Sequence, residues 1–301
     1  MSLQKLSLAV FVTLLIVTPL CAQNSGSWTW TGVNDYGVIP NIVYSVANNY
    51  ECKLDVYQRR SADGSRTPTV VYIHGGGWVA GTKESSVMGI LPWLELGFSV
   101  VNVEYRLAPV SLAPAAVQDC RLAFRWVWKN AAKYGFDTSR IVVTGGSAGG
   151  HLALTTGMLD PADGFDLPTN WDYEVAVPRA AAIVNWFGIT DVKDLLDGPN
   201  MQKYAVFWLG NQEEKEEIAE SVSPLKYVRK GLPPIITIHG DKDQLVPYAH
   251  ATRLHEKLTD AGVPNELITI PGGRHGGFSA AEMQRIHTTV IAFLKKHGIL
   301  K

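Results

Sequence analysis

The stretch "VVTGGSAGGHLAL", Val142 to Leu154, decides how this chain is read. An apolar β-branched run leads into it, a helix-forming run leads out, and four glycines crowd around Ser147. A strand that turns sharply into a helix, with a serine held at its tip, needs neighbours without side chains. The pattern G-x-S-x-G supplies them, and Gly145, Ser147 and Gly149 fill it here. In a chain with 28 glycines the pattern also arises by chance, so its meaning rests on what surrounds it.

Upstream and downstream lie runs with the same apolar, β-rich character: Asn41 to Ala47, Glu51 to Gln58, Thr69 to Gly75, Phe98 to Tyr105, and the segments "RIVVTGG", "AAAIVNWFG", "PIITIHG" and "NELITIPG". Several are continuous rather than alternating, as suits strands covered on both faces. Between the later ones fall helix-like segments at Pro114 to Tyr134, Gly150 to Leu159, Pro247 to Ala261 and Ala280 to Lys296. Strand and helix alternate, which predicts an α/β fold with a mostly parallel sheet. The first two or three strands lack intervening helices and are expected to form an antiparallel edge. Thr190 to Ser223 is too long for a simple connection; its aromatic "KYAVFWLG" and charged "NQEEKEEIAE" read as a small cap.

The rest of the composition narrows the class. Hydrophobic residues make up 46% of the 301, charged residues 18%, and the formal net charge is −1, as in ordinary globular proteins. No basic patch or acidic tail points to nucleic acid. Met1 to Ala22 differs: one lysine, an uncharged "LSLAVFVTLLIVTPL", then "CAQ". That is the pattern of a signal peptide cut after Ala22, with an apolar run shorter than the roughly 20 residues a spanning helix needs. Residues 23–301 are then the mature α/β domain, expected to be secreted or periplasmic with no stable membrane anchor. Cys52 and Cys120 remain; a disulfide is allowed in an oxidising compartment, and two buried free thiols are the favoured reading.

If Ser147 is a nucleophile it needs an oxyanion site, a base and an acid. "YIHGGGWVAG" offers the first: a strand ending in His74, then Gly75, Gly76 and Gly77, whose bare amides can turn toward developing negative charge. The second donor expected with this layout is the amide after the nucleophile, Ala148. "ITIHGDKDQLVPYAH" places Asp243 in a loop after a buried strand, with Asp241 competing for the role of acid. "IPGGRHGGF" places His275 among four glycines after another strand, the best general base of eight histidines. His74, His239 and His151 read as structural, and His250, His255, His287 and His297, in helix-like segments, as solvated. The chain order Ser147, Asp243, His275 is the order of α/β hydrolases. No cluster has metal-ligand spacing.

The segments "HGGGW", "EYRLAP", "PAAVQDCRLAFRWVWKNAAKYGFD", "GGSAGGHLAL", "HGDKDQLVP" and "RHGGF" resemble the α/β-hydrolase esterases of the hormone-sensitive-lipase-like and bifunctional feruloyl/acetyl-xylan esterase group. The resemblance runs roughly from Asn49 to Leu294. It implies an eight-stranded sheet, hydrolysis of carboxylic esters and no cofactor. The hormone-sensitive-lipase-like branch carries Asp before its serine and an N-terminal helical cap. This chain has Gly146 there and too few residues before its first strand to build such a cap, so the resemblance favours the feruloyl/acetyl branch.

Three further expectations follow. Arg106 and Asp119 form a structural ion pair rather than a substrate contact. Trp78 and Trp208, read as loop residues, are candidate substrate-binding aromatics. With only residues 190–223 as cover, the acyl pocket is shallow, and acetyl and butyryl esters are cleaved faster than those of ten or more carbons. A peptidase on the same fold and a non-catalytic binding protein of this fold are the alternatives.

Overall fold

A computed structural model describes residues 34–60, 64–168 and 177–301; the expected signal peptide, residues 1–22, lies outside them. In chain order come β1 (Tyr36–Ala47), β2 (Tyr50–Arg59), β3 (Thr67–Ile73), α1 (Val87–Glu95), β4 (Ser99–Val103), α2 (Ala115–Lys129) and α3 (Ala131–Tyr134). Then follow β5 (Phe136–Gly146), α4 (Ala148–Met158), β6 (Ala182–Trp186), α5 (Lys203–Leu209) and α6 (Lys215–Ser221). β7 (Ile235–Gly240), α7 (Ala249–Asp260), β8 (Asn265–Ile270) and α8 (Ala280–Lys296) complete the order.

The eight strands form one sheet in the order β1-β2-β4-β3-β5-β6-β7-β8. β1 and β2 are the antiparallel edge; β3 lies inside the sheet, parallel to β4 and β5. Every residue of β4 and β7 is buried, the burial that continuous apolar runs require when helices cover both faces. On one face Cys120 and Phe124 of α2, Leu152 of α4 and Leu254 of α7 join the larger core cluster. On the other, Ile90 and Trp93 of α1 meet Ile286, Val290 and Phe293 of α8. This is the α/β-hydrolase architecture, a mostly parallel sheet between two helical layers.

Register brings the functional loops to one level. Ile73 of β3 pairs with Gly145 of β5, Gly145 with Asn185 of β6, and Asn185 with Thr237 of β7. The segments following these strands, which carry His74 to Gly77, Ser147, Phe187 and Asp243, therefore open at the same sheet edge. Binding sites of open α/β sheets form at this carboxyl edge.

Two features hold the edge in place. Arg106, just after β4, grips Asp119 of α2 through Nε and Nη2 at 2.8 and 2.7 Å, while its own N–H donates to the same carboxylate at 2.9 Å. Asp119 is fully buried, so the pair is the structural clamp expected; removing one partner of such a pair costs about 3–5 kcal/mol. The cap segment contains two short 3-10 turns, at Lys193–Leu195 and Gly198–Asn200, followed by α5 and α6. Tyr204 Oη donates to Leu245 O at 2.8 Å and Ala113 N–H to Trp208 O at 3.0 Å, tying α5 to the loops after β7 and before α2. Cys52 and Cys120 are free buried thiols; burial pushes the Cys52 thiol up to about 12.

Candidate active site

Ser147 sits at the turn from β5 into α4 with φ 58° and ψ −123°, a conformation strained for any residue with a side chain. Surrounding groups hold it there. Its N–H donates to Trp186 O at 2.9 Å, and the turn presses directly on the end of β3. A Cβ on Gly149 would stand 2.2 Å from Ile73 O, and one on Gly145 2.3 Å from the same oxygen. The two glycines of the pattern are thus required by close backbone approach.

The segment after β3 is fixed by His74. Its ring stacks on Tyr105 at 4.3 Å, its Nδ1 lies 2.7 Å from Gly75 O, and Tyr105 Oη donates to His74 O at 3.1 Å. Burial lowers the His74 pKa and favours the neutral ring. Gly76, with φ +116°, has Ala80 O where a Cβ would go. The amides of Gly75, Gly76 and Ala148 donate to no other described residue. Ala148 is the first residue of α4, where amides lack intrahelical partners and the helix dipole favours negative charge.

His275 and Asp243 meet across the loops after β8 and β7. His275 Nδ1 lies 2.7 Å from Asp243 Oδ2. Asp243 Oδ1 accepts the N–H groups of Leu245 and Val246 at 2.9 and 3.0 Å, and His239 Nε2 lies 3.3 Å from Oδ2. Burial alone would raise this carboxyl; the hydrogen bonds from His239, His275 and Val246 outweigh it and hold Asp243 well below the usual carboxylate range. A carboxylate at Nδ1 fixes that nitrogen as the donor and leaves Nε2 as the basic one. Asp241 does not reach His275; it accepts the Gly272 N–H at 2.7 Å. The edge of Phe187 covers His275, ring centroids 4.6 Å apart. Ser147, His275, Gly75 and Gly76 line one open cavity of about 650 Å³. No hydrogen bond joins Ser147 to His275; in such sites this contact often tightens only as the reaction complex forms.

Trp78 and Trp208 are not in that cavity, which corrects the expectation drawn from their apparent loop positions. Both are fully buried and stack on each other at 4.0 Å with 13° between planes. Trp78 Nε1 donates to His151 Nδ1 at 3.2 Å, and His151 Nε2 in turn meets Val222 O at 2.7 Å. Burial pulls His151 down to about 4. The two indoles and the imidazole form a plug that locks the glycine segment to α4 and to the cap. Trp208 lies on α5, and its inward face is what pins that helix.

Two of the histidines expected to be solvated are buried as well. His250 Nδ1 accepts the Thr190 N–H at 3.1 Å and its Nε2 lies 3.1 Å from Asp194 Oδ2; His255 Nδ1 lies 2.8 Å from Asn265 Oδ1. His287 and His297 are half-buried. The cavity residues that the sequence reading passed over include Tyr72, Ser85, Ser86, Phe187, Tyr204 and Leu245. Phe187 had a signal, since it follows a buried strand that ends at the level of Ser147. Among the described residues no group of three His, Cys, Asp or Glu is arranged to hold a metal ion.

A model of the BD-FAE family matches residues 54–258, more than half of the chain. The chain belongs to the BD-FAE family. The matched span includes Ser147 and Asp243 and ends before His275. Among curated relatives, esterase LipQ of Mycobacterium tuberculosis is 31% identical over 77% of this chain and 55% of its own length; esterase LipC of the same organism is 28% identical over 74% and 56%. The chain thus spans about half the length of these relatives. The apo form of Thermogutta terrifontis esterase 2 superposes with a TM-score of 0.73 at 27% identity, over 89% of this chain and 96% of that one. A truncated carbohydrate esterase from gut microbiota gives a TM-score of 0.72 at 28% identity, over 88% and 98%.

Proposed function

We propose that this BD-FAE member is a serine hydrolase of carboxylic esters. The observation that carries the reading is the 2.7 Å contact between Asp243 and His275, in a cavity that also contains the strained Ser147 and the glycine amides. Ser147 Oγ attacks the ester carbonyl carbon as His275 Nε2 takes its proton. The carbonyl π pair moves onto oxygen, where the amides of Gly75, Gly76 and Ala148 receive it. Asp243 holds the imidazole tautomer and stabilises the imidazolium. Collapse breaks the bond to the alkoxy oxygen, which takes the proton from His275 and leaves as alcohol. Water, deprotonated by the same histidine, attacks the acyl-enzyme, and the acid departs as Ser147 recovers its proton.

On substrate, the proposal is a short or feruloyl-type acyl group on a bulky polar alcohol, as in acetyl or feruloyl esters of plant polysaccharide. The open cavity leaves room for such an alcohol, and the likeness to a carbohydrate esterase supports it. Export is proposed from the Met1 to Ala22 pattern and is checked by the N-terminal residue of the protein recovered outside the cytoplasm.

The test is a side-by-side assay of acetylated xylan, methyl ferulate and short p-nitrophenyl esters with the wild-type protein and Ser147→Ala. The variant is expected to keep its fold and lose about three to six orders of magnitude in turnover on every ester cleaved. Retention of more than about a tenth of the activity would remove Ser147 from the mechanism.

A further inference from the structure

A second cavity, of about 550 Å³, opens beside the first between α1 and α8. Its walls are mostly apolar or aromatic, with Met88, Pro92 and Trp93 from α1, Met283 and Ile291 from α8, and Trp186 at the end of β6; the half-buried His287 of α8 is the titratable imidazole among them. The charged residue among its lining, Glu95, is exposed. The volume falls within the range of small-molecule sites, about 300–1,000 Å³.

The two cavities share Tyr72, Gly89, Gly146 and Phe187, which form a neck beside the nucleophile. Two glycines keep it open. A Cβ on Gly89 would stand 2.3 Å from Tyr72 Oη, and one on Gly146 3.4 Å from Phe187 Cε2. Phe187, held at φ 40° with its N–H on Ile238 O at 2.7 Å, lies against His275 while bordering both spaces. The Tyr72 hydroxyl has no hydrogen-bond partner among the described residues, so a donor is available at the neck. Met88, 76% exposed, stands at the rim.

We propose that the α1–α8 cavity is a subsite for an uncharged apolar group, alkyl or aryl, of the ester whose carbonyl lies at Ser147. The inference rests on the ester-hydrolase reading and adds to it where the apolar part of the substrate goes. The group enters past Gly146 and Phe187, leaves water, and packs against Trp93, Trp186 and Ile291. Each methylene so buried favours binding about four-fold.

Two substrate series separate the possible sources of that group. One lengthens the acyl chain at constant alcohol, from p-nitrophenyl acetate to hexanoate; the other enlarges the alcohol at constant acetyl, from methyl to butyl to hexyl acetate. Ile291→Trp fills the cavity from a half-buried position outside the core cluster, and Met88→Asp charges the exposed rim. In the wild type, kcat/KM is expected to rise about tenfold or more along one series, and the series that rises identifies the acyl or the alcohol side. Both variants should remove at least about tenfold from the largest member of that series, with methyl acetate, which has no group to fill the subsite, within about three-fold of wild type.

Flat wild-type profiles in both series overturn the inference. So do variants that leave the larger esters unchanged, or that lose acetate and large esters equally while melting like wild type. If the wild-type protein cleaves none of these esters, it is the ester-hydrolase reading that fails. Cleavage of acetate with unaltered size dependence in Ile291→Trp defeats the subsite alone.

Discussion

Replacing Trp208 by alanine separates a structural plug from a substrate contact. The side chain is fully buried, lies flat on Trp78 at 4.0 Å, and meets His151 edge-on at 5.5 Å. Truncating a buried tryptophan costs about 3–5 kcal/mol for lost transfer energy and the cavity left behind. The stacked pair adds about 0.5–1.5 kcal/mol beyond area burial. With about 2–4 °C lost per kcal/mol in domains approaching this size, the melting midpoint of Trp208→Ala should fall by roughly 7–26 °C. Trp208→Phe, which restores a ring against Trp78, should recover more than half of that loss. The assay is thermal unfolding followed by circular dichroism, combined with methyl ferulate hydrolysis at a temperature where both variants are folded. There KM should stay within about three-fold of wild type, because the ring touches no substrate. A midpoint shifted by less than about 2 °C together with a KM raised tenfold or more would refute the reasoning and return Trp208 to the site.

Other outcomes follow from the same geometry. Asp243→Asn should lower turnover by about four orders of magnitude, whereas Asp241→Asn should stay within about two-fold, as surface changes usually do; steady-state rates on p-nitrophenyl acetate decide, and the reverse ranking would reassign the acid. Gly149→Ala forces a Cβ onto Ile73 O, 2.2 Å away, and should cost both stability and turnover, read as a lower urea midpoint and a lower kcat; wild-type values for both would show that the elbow can relax. His151 and His250 are each drawn from 6.5 to about 4 in the folded protein, His151 by burial and His250 by burial together with Arg253. Protons therefore favour the unfolded chain as pH falls below 6.5, and each should remove about 2 kcal/mol of stability between pH 7.5 and pH 5, measured by urea unfolding at the two pH values. An unchanged unfolding free energy would mean that these rings are not held neutral.

The strands were legible because their apolar β-branched runs are continuous, and α8 as the helix-like run from Ala280 to Lys296, which the structure begins with a capping box of Ser279 and Glu282. α1 was not legible. It carries Gly89 and Pro92 inside nine residues, a composition that argues against a helix when local propensity is weighed alone; packing of Ile90, Trp93 and Leu94 against the sheet overrides it. The unseen helix is also a wall of the second cavity, so the expectation of a shallow site counted only residues 190–223 as cover. Sequence order placed Ser147, Asp243 and His275, since each follows a strand at the same sheet edge. It could not place Trp78 or Trp208, because whether an aromatic residue near a loop faces water or the core depends on contacts far along the chain, here between residues 78, 151 and 208. His250 and His255 were misjudged for the same reason: a helical segment does not reveal which of its faces a neighbouring loop covers.

The central claim, that Ser147 is a nucleophile activated by His275, is tested most directly by covalent labelling with an alkyl fluorophosphonate and mass analysis of the peptides. The account predicts a single phosphonyl adduct on the peptide containing Ser147, formed in step with the loss of ester hydrolysis, and no adduct in Ser147→Ala or at comparable speed in His275→Ala. Full ester hydrolysis by a protein that takes up no label, or a label on another residue accompanying the loss, would contradict it.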